Sequence, residues 1–211
     1  MAYDLEEQEQ IAAVKSWWSE YGTVVVAAVA ACALTIAGIQ GWRFYKSSQA
    51  MGAVTLYEQL DLAERAGDHK KVSDIASQIT GAYGTTIYAA LAALGSARAS
   101  FESGDLARAK SQLQWVMDNV KEDAIRDIAR LRLAGVLLDE KNHVESLKLV
   151  DAKPVDFLAG LYADLKGDIL LAQGKTAEAR SAYQLALDRS EAGSPYRAII
   201  QMKLDSLGGA T

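Results

Sequence analysis

Residues 165–188 read LKGDILLAQGKTAEARSAYQLALD, and the reading of this stretch decides the fold. One helical pattern ends at Gln173-Gly174 and a second begins at once, so Gly174 reads as the turn of an antiparallel helix pair. Gly167 lies seven residues before the turn and Ala179 five after it. Small side chains belong at those places, because a large one where two helices cross would push them apart.

The same shape occurs three more times, as AGDHKKVSDIA around Gly67, SGDLARAKSQL around Gly104 and EKNHVESLKLV around Lys141. The four turn positions are spaced 37, 37 and 33 residues apart. Leu60, Ala97, Ala134 and Gly167 fall seven before them, and Val72, Ala109, Ser146 and Ala179 five after. This resembles the tetratricopeptide (TPR) pattern of about 34 residues. The fourth copy matches best, with Gly167, Gly174, Ala179, Tyr183 and Ala186 at the small, turn and aromatic positions. LGSARASFESGDLARAKSQLQWVMD (94–118) matches well, while the first and third copies are degenerate. The expected fold is all-α: a TPR-like α-solenoid of about four helical hairpins over residues 51–211, closed by a capping helix at Tyr196–Leu207. A non-repetitive helical bundle is the alternative. GAYGTT (81–86), DAKPVD (151–156) and EAGSPY (191–196) read as connections, and the only two prolines, Pro154 and Pro195, lie in them.

Upstream, the 22 residues from Tyr21 to Trp42 carry no charge and are bounded by Glu20 and Arg43. As a helix they cover about 33 Å, enough for a hydrocarbon core of about 30 Å. Trp17, Trp18 and Tyr21 at one end and Trp42, Phe44 and Tyr45 at the other suit the two membrane interfaces of a lipid bilayer. The reading is a short acidic segment (1–21), a transmembrane helix (22–42) and a juxtamembrane linker (43–50). A cleaved signal peptide fits poorly, because its n-region should be basic and this one is MAYDLEEQEQ. Ile11, Val14, Trp18 and Tyr21 recur at helical spacing, so the segment before the span reads either as an interfacial helix or as a solvated stub. Ala33, Ala37 and Gly41 form a small-residue stripe suited to helix contact in a membrane. Lys15 before the span against Arg43 and Lys46 after it tilts the C-terminal side toward the cytoplasm, by about one charge.

The 211 residues carry a net charge of −5, divided into −2 over residues 1–50 and −3 over the rest. No basic footprint for nucleic acid exists in that balance. One cysteine, Cys32, allows no intrachain disulfide, and two histidines, His69 and His143, each at a repeat turn, offer little for a metal or a catalytic centre. The sequence lacks GxSxG, P-loop, HExxH and CxxC motifs. Asp164 and Asp168 are i, i+4 on one helix, a spacing open to acid–base work or cation binding, but they read better as groove charge. No enzyme activity, cofactor or metal is expected.

A TPR array presents a concave groove lined by the first helix of each pair. Extrapolating the register places Tyr57, Leu94, Arg98, Phe101, Leu131, Leu138, Asp168 and Leu171 on it. That largely apolar set suits an amphipathic helix or an unfolded segment.

EEQEQIAAVKSWWSEYG (6–22), GWRFY (41–45) directly after the span, residues 164–187 of the fourth repeat and the tail QMKLDSL (201–207) together resemble the YfgM-type ancillary subunits of the bacterial SecYEG translocon. The resemblance implies a non-enzymatic inner-membrane protein with a cytoplasmic N-terminus and a periplasmic TPR domain, opposite to the small charge bias. It implies as partners the SecYEG translocon, a membrane-tethered prolyl-isomerase-like chaperone of the PpiD type, and nascent or unfolded envelope proteins being handed to it. The alternative is a stress-signalling regulator whose acidic segment (residues 1–20) binds a cytoplasmic transcriptional regulator.

Overall fold

The computed structural model describes residues 2–208, with side chains from residue 9 onward; the described residues are helices and their connections. The chain divides into two compact units, Met1–Gln49 and Ala50–Thr211. The first helix, α1 (Ala2–Arg65), includes the segment before the apolar run and residues 43–50. Within the first unit the apolar stretch is long enough to cross a membrane and is almost bare of protein contacts. A core helix of a soluble protein would be mostly covered. Thr35 donates its hydroxyl to the carbonyl of Ala31 at 2.8 Å, so that hydroxyl is satisfied within the helix.

The second unit begins with the C-terminal part of α1 and continues with α2 (His69–Tyr83), α3 (Ile87–Glu102), α4 (Leu106–Asn119), α5 (Asp123–Asp139), α6 (His143–Val150), a 3₁₀ turn (Asp156–Leu158), α7 (Ala159–Ala172), α8 (Thr176–Arg189) and α9 (Tyr196–Ser206). These make four antiparallel pairs and a capping helix, as the repeat predicts.

The four turns share one construction. Gly67, Gly104, Lys141 and Gly174 all have positive φ, between 63° and 81°. In each, the N–H of the following residue bonds back to a carbonyl of the first helix: Asp68 to Ala63 at 3.0 Å, Asp105 to Ser100 at 2.8 Å, Asn142 to Leu137 at 2.8 Å and Lys175 to Leu170 at 2.9 Å. This is a Schellman turn, whose left-handed residue is normally glycine. The side chains of Asp68, Asp105 and Asn142 then cap the second helix by accepting an N–H three residues on; Lys175 has no such oxygen. Lys141 is the only non-glycine with positive φ among the described residues. Lys141→Gly should therefore raise stability by about 0.5–1 kcal/mol, seen as a higher urea midpoint of the full chain; an unchanged or lower midpoint contradicts this.

All eight expected crossing positions are buried. In the third pair Ser146 donates its hydroxyl to the carbonyl of Ala134 at 2.6 Å, a direct link between the two crossing points. Nine residues after each turn stand Ala76, Leu113, Val150 and Tyr183, all buried and each sharing a core with the residue seven before the turn. The pairs are Leu60 with Ala76, Ala97 with Leu113, Ala134 with Val150, and Gly167 with Tyr183. Bulk lost on one helix is restored on the other, which keeps the crossing close-packed.

Two boundaries differ from expectation. α2 continues through Gly81-Ala82-Tyr83 because the Tyr83 ring packs over Gly52 of α1, where a Cβ would come within 2.6 Å of the phenol oxygen. Asp156 already belongs to a helical turn, whereas Tyr196 opens the last helix where the capping helix was expected. α6 has only eight residues, since the chain must leave the helical region ahead of Pro154. Buried Asp127 of α5 secures that connection: its Oδ2 accepts the Val155 N–H at 2.8 Å, its carbonyl accepts the Tyr162 hydroxyl at 2.8 Å, and its Oδ1 pairs with Arg130.

Candidate functional site

A groove of about 550 Å³ opens along the first helices of the second, third and fourth pairs. α3 contributes Ala97, Arg98 and Phe101; α5 contributes Arg132, Gly135, Val136, Leu138 and Asp139; α7 contributes Leu165 and Asp168; Leu113 of α4 also lines it. Phe101 is 41% exposed, a large apolar ring facing solvent in a wall where a core residue would be covered. Gly135 has no atom within 4 Å of where a Cβ would stand, so the middle of α5 is a bare stretch of backbone within the groove.

Four expected groove residues, Arg98, Phe101, Leu138 and Asp168, are brought together here. The other four are not among its lining. Leu94 is buried, because α3 packs against neighbours on both sides and its i, i+4, i+7 face is only partly free. Leu131 is partly buried against the core that holds Tyr162 and Ile169. The Tyr57 ring lies 5.6 Å from that of Tyr88, joining α1 to α3, while Leu171 is at the surface near the fourth turn.

The charged groups of the groove differ in how they are held. Arg98 donates to Glu102 at 2.8 Å. Asp168 accepts the Tyr183 hydroxyl at 2.8 Å and the Lys203 ammonium at 2.7 Å. Lys203 also reaches both oxygens of Asp164 at 2.9 Å. Asp164 and Asp168 thus fasten α9 to α7. Burial raises the Asp164 carboxyl above its usual range, with Lys203 pulling the other way.

In the first unit Trp17, Trp18, Tyr21, Trp42, Phe44 and Tyr45 all stand exposed around α1, at the two ends of its apolar stretch. Trp17 stacks obliquely on Tyr21 at 5.8 Å between centroids, and the Lys46 ammonium lies 5.7 Å over the Trp42 ring. Rings with a nearby polar group fit the boundary between hydrocarbon and headgroup. Asp4, Glu6 and Glu7 of the acidic segment lie outside the residues whose side chains are described. Among the described residues, no group of three or more His, Cys, Asp or Glu could hold a metal ion.

Residues 15–209 match the family model described as a tetratricopeptide repeat-like domain. A protein of Neisseria gonorrhoeae named ancillary SecYEG translocon subunit is 31% identical over 98% of this chain and all of its own length. Proteins of the same name from Aggregatibacter actinomycetemcomitans and Escherichia coli are 32% and 29% identical, over 98% and 95% of this chain and 100% and 96% of theirs. The chain belongs to the family of ancillary SecYEG translocon subunits.

Among the lining residues of this family member that the sequence did not point to is Arg132. Arg132 makes no hydrogen bond or ion pair to any described residue, whereas Arg98, Arg108, Arg126 and Arg130 each pair with a carboxylate three or four residues away. The signal was present: Ile128, Ala129, Gly135 and Val136 occupy the places three and four residues from Arg132, so its helix offers it no acid.

Proposed function

We propose that the protein is a non-enzymatic ancillary subunit of the Sec translocon in a bacterial inner membrane. The span of α1 anchors it, with the N-terminus in the cytoplasm and the repeat domain in the periplasm. The groove holds newly translocated envelope proteins, or a helix of a partner, and helps pass them to a membrane-tethered prolyl-isomerase-like chaperone. The observation that carries this reading is an apolar groove with Phe101 and Leu138 in its walls, on a chain tethered by a bare apolar helix. The full-length match to relatives bearing the translocon name supports it. Tethering matters because effective concentration near the exit of a channel reaches the millimolar range, where weak contacts with apolar segments suffice. The bias of about one charge toward the other orientation is too small to govern a long translocated domain.

Crosslinking of the full chain in its native membrane, with identification of what is attached, tests the proposal. Phe101→Glu and Leu138→Glu should each lower the yield of translocon-associated adducts by about threefold or more while leaving helicity unchanged, since a charge in the groove opposes burial of an apolar segment. Full crosslinking by both variants overturns the groove assignment. Protease added to spheroplasts should digest the repeat domain, and protection of that domain overturns the orientation.

A further inference from the structure

We infer that the groove selects polypeptide segments in which a carboxylate accompanies the apolar side chains, and that Arg132 is the residue that receives it. The inference rests on the groove reading and names the chemistry of its occupant. Arg132 lines the groove beside Phe101, Val136, Leu138 and Leu165, so a segment lying against those side chains passes its guanidinium. The nearby charges are accounted for. Arg98 is held by Glu102, and Asp168 is held by Lys203 and Tyr183. Asp139 also lines the groove, yet no ion pair joins it to Arg132.

Desolvation and the like charge of Arg98 both act against the charged form of Arg132, and no carboxylate acts for it. Arg132 is exposed at the groove wall and holds no anion, so a carboxylate arriving with a partner can make a charge-assisted, bidentate hydrogen bond there. A polyanion is a poor match, because Asp139 and Asp168 stand in the same walls and the protein carries a net charge of −5. One acid set among leucine-like side chains satisfies both the floor and the arginine. Arg132 thereby adds selectivity to a surface that is otherwise indifferent to sequence.

The test uses the full chain in detergent micelles and three fluorescein-labelled 16-residue helical peptides. They share one leucine stripe and differ only in carrying Glu, Gln or Lys at its centre. The Glu peptide should bind about tenfold more tightly than the Gln peptide and more tightly still than the Lys peptide. Arg132→Gln should erase the preference, Arg132→Lys should keep part of it, and Arg132→Glu should reverse it. Equal binding of the Glu and Gln peptides, or a preference that survives Arg132→Gln, overturns the inference while leaving the groove reading intact. Absence of binding by all three overturns both.

Discussion

Replacing Gly167 by alanine should destabilise the repeat domain by about 2–3 kcal/mol, although alanine is the better helix former by about 1 kcal/mol. The new Cβ would sit 2.4 Å from Cε1 and 2.5 Å from Cδ1 of Tyr183, closer than any ordinary contact. The ring has no easy retreat. Tyr183 is fully buried, its hydroxyl is donated to Asp168, and the Lys203 ammonium lies over the ring at 5.6 Å from its centroid. Either that hydrogen bond is given up or α7 and α8 move apart, loosening the packing of Ala179, Ala182 and Ala186 between them. The same exchange at Gly135, also inside a helix but with open space around it, should instead stabilise by about 0.5–1 kcal/mol. The pairing of crossing residues supplies a second control. Gly167→Ala with Tyr183→Leu rebuilds the Ala97 and Leu113 combination of the second repeat, so the double variant should recover part of the loss shown by Gly167→Ala. Urea unfolding of the full chain in detergent, followed by helical circular dichroism, reads all four midpoints. A Gly167→Ala midpoint at or above that of the parent sinks the account.

The turns and crossings were legible in the sequence because local chemistry dictates them. A left-handed turn calls for glycine, and a close crossing calls for complementary volumes, so Gly67, Gly104, Gly174 and the small residues around them mark the array without reference to anything distant. Lys141 could be placed only by its spacing, and the structure shows that it adopts the glycine conformation. The groove was half legible for a related reason. Helical periodicity reports which residues share a face, but the neighbours decide how much of that face is left open. Leu94, Arg98 and Phe101 share a face of α3, and the packing on that helix covers the first and leaves the other two free. Asp168 was expected as a groove charge. Its partner Lys203 lies 35 residues away on the capping helix, a distance at which no local rule operates, so its fastening role appears only in three dimensions.

Lys203→Met should cost about 2–3 kcal/mol near neutral pH, and the loss should depend on pH in a way that identifies its cause. The ammonium is partly buried between Asp164 and Asp168, with side-chain exposures of 30%, 18% and 30%, which lifts the cluster above the small value of a surface ion pair. Methionine keeps the apolar stem but leaves two carboxylates one helical turn apart with no cation between them. In the parent, burial lowers the pKa of Lys203, but the hydrogen bonds to Asp168 and Asp164 outweigh it and the net shift is upward from 10.5. A group raised on folding stabilises the native state fully below its unfolded value, and that stabilisation disappears as pH rises through the folded value. The parent should therefore lose its advantage over the variant in strong alkali. On the acid side the sign comes from Asp164, whose carboxyl burial already raises. Without the pull of Lys203 it rises further, so the folded variant binds a proton more readily than its unfolded chain, and acidification from neutrality toward about pH 5 stabilises the variant. The difference in urea midpoint should thus peak near neutrality and narrow toward both extremes. A difference that stays constant with pH would mean that the lysine stem, by packing alone, holds α9 against α7.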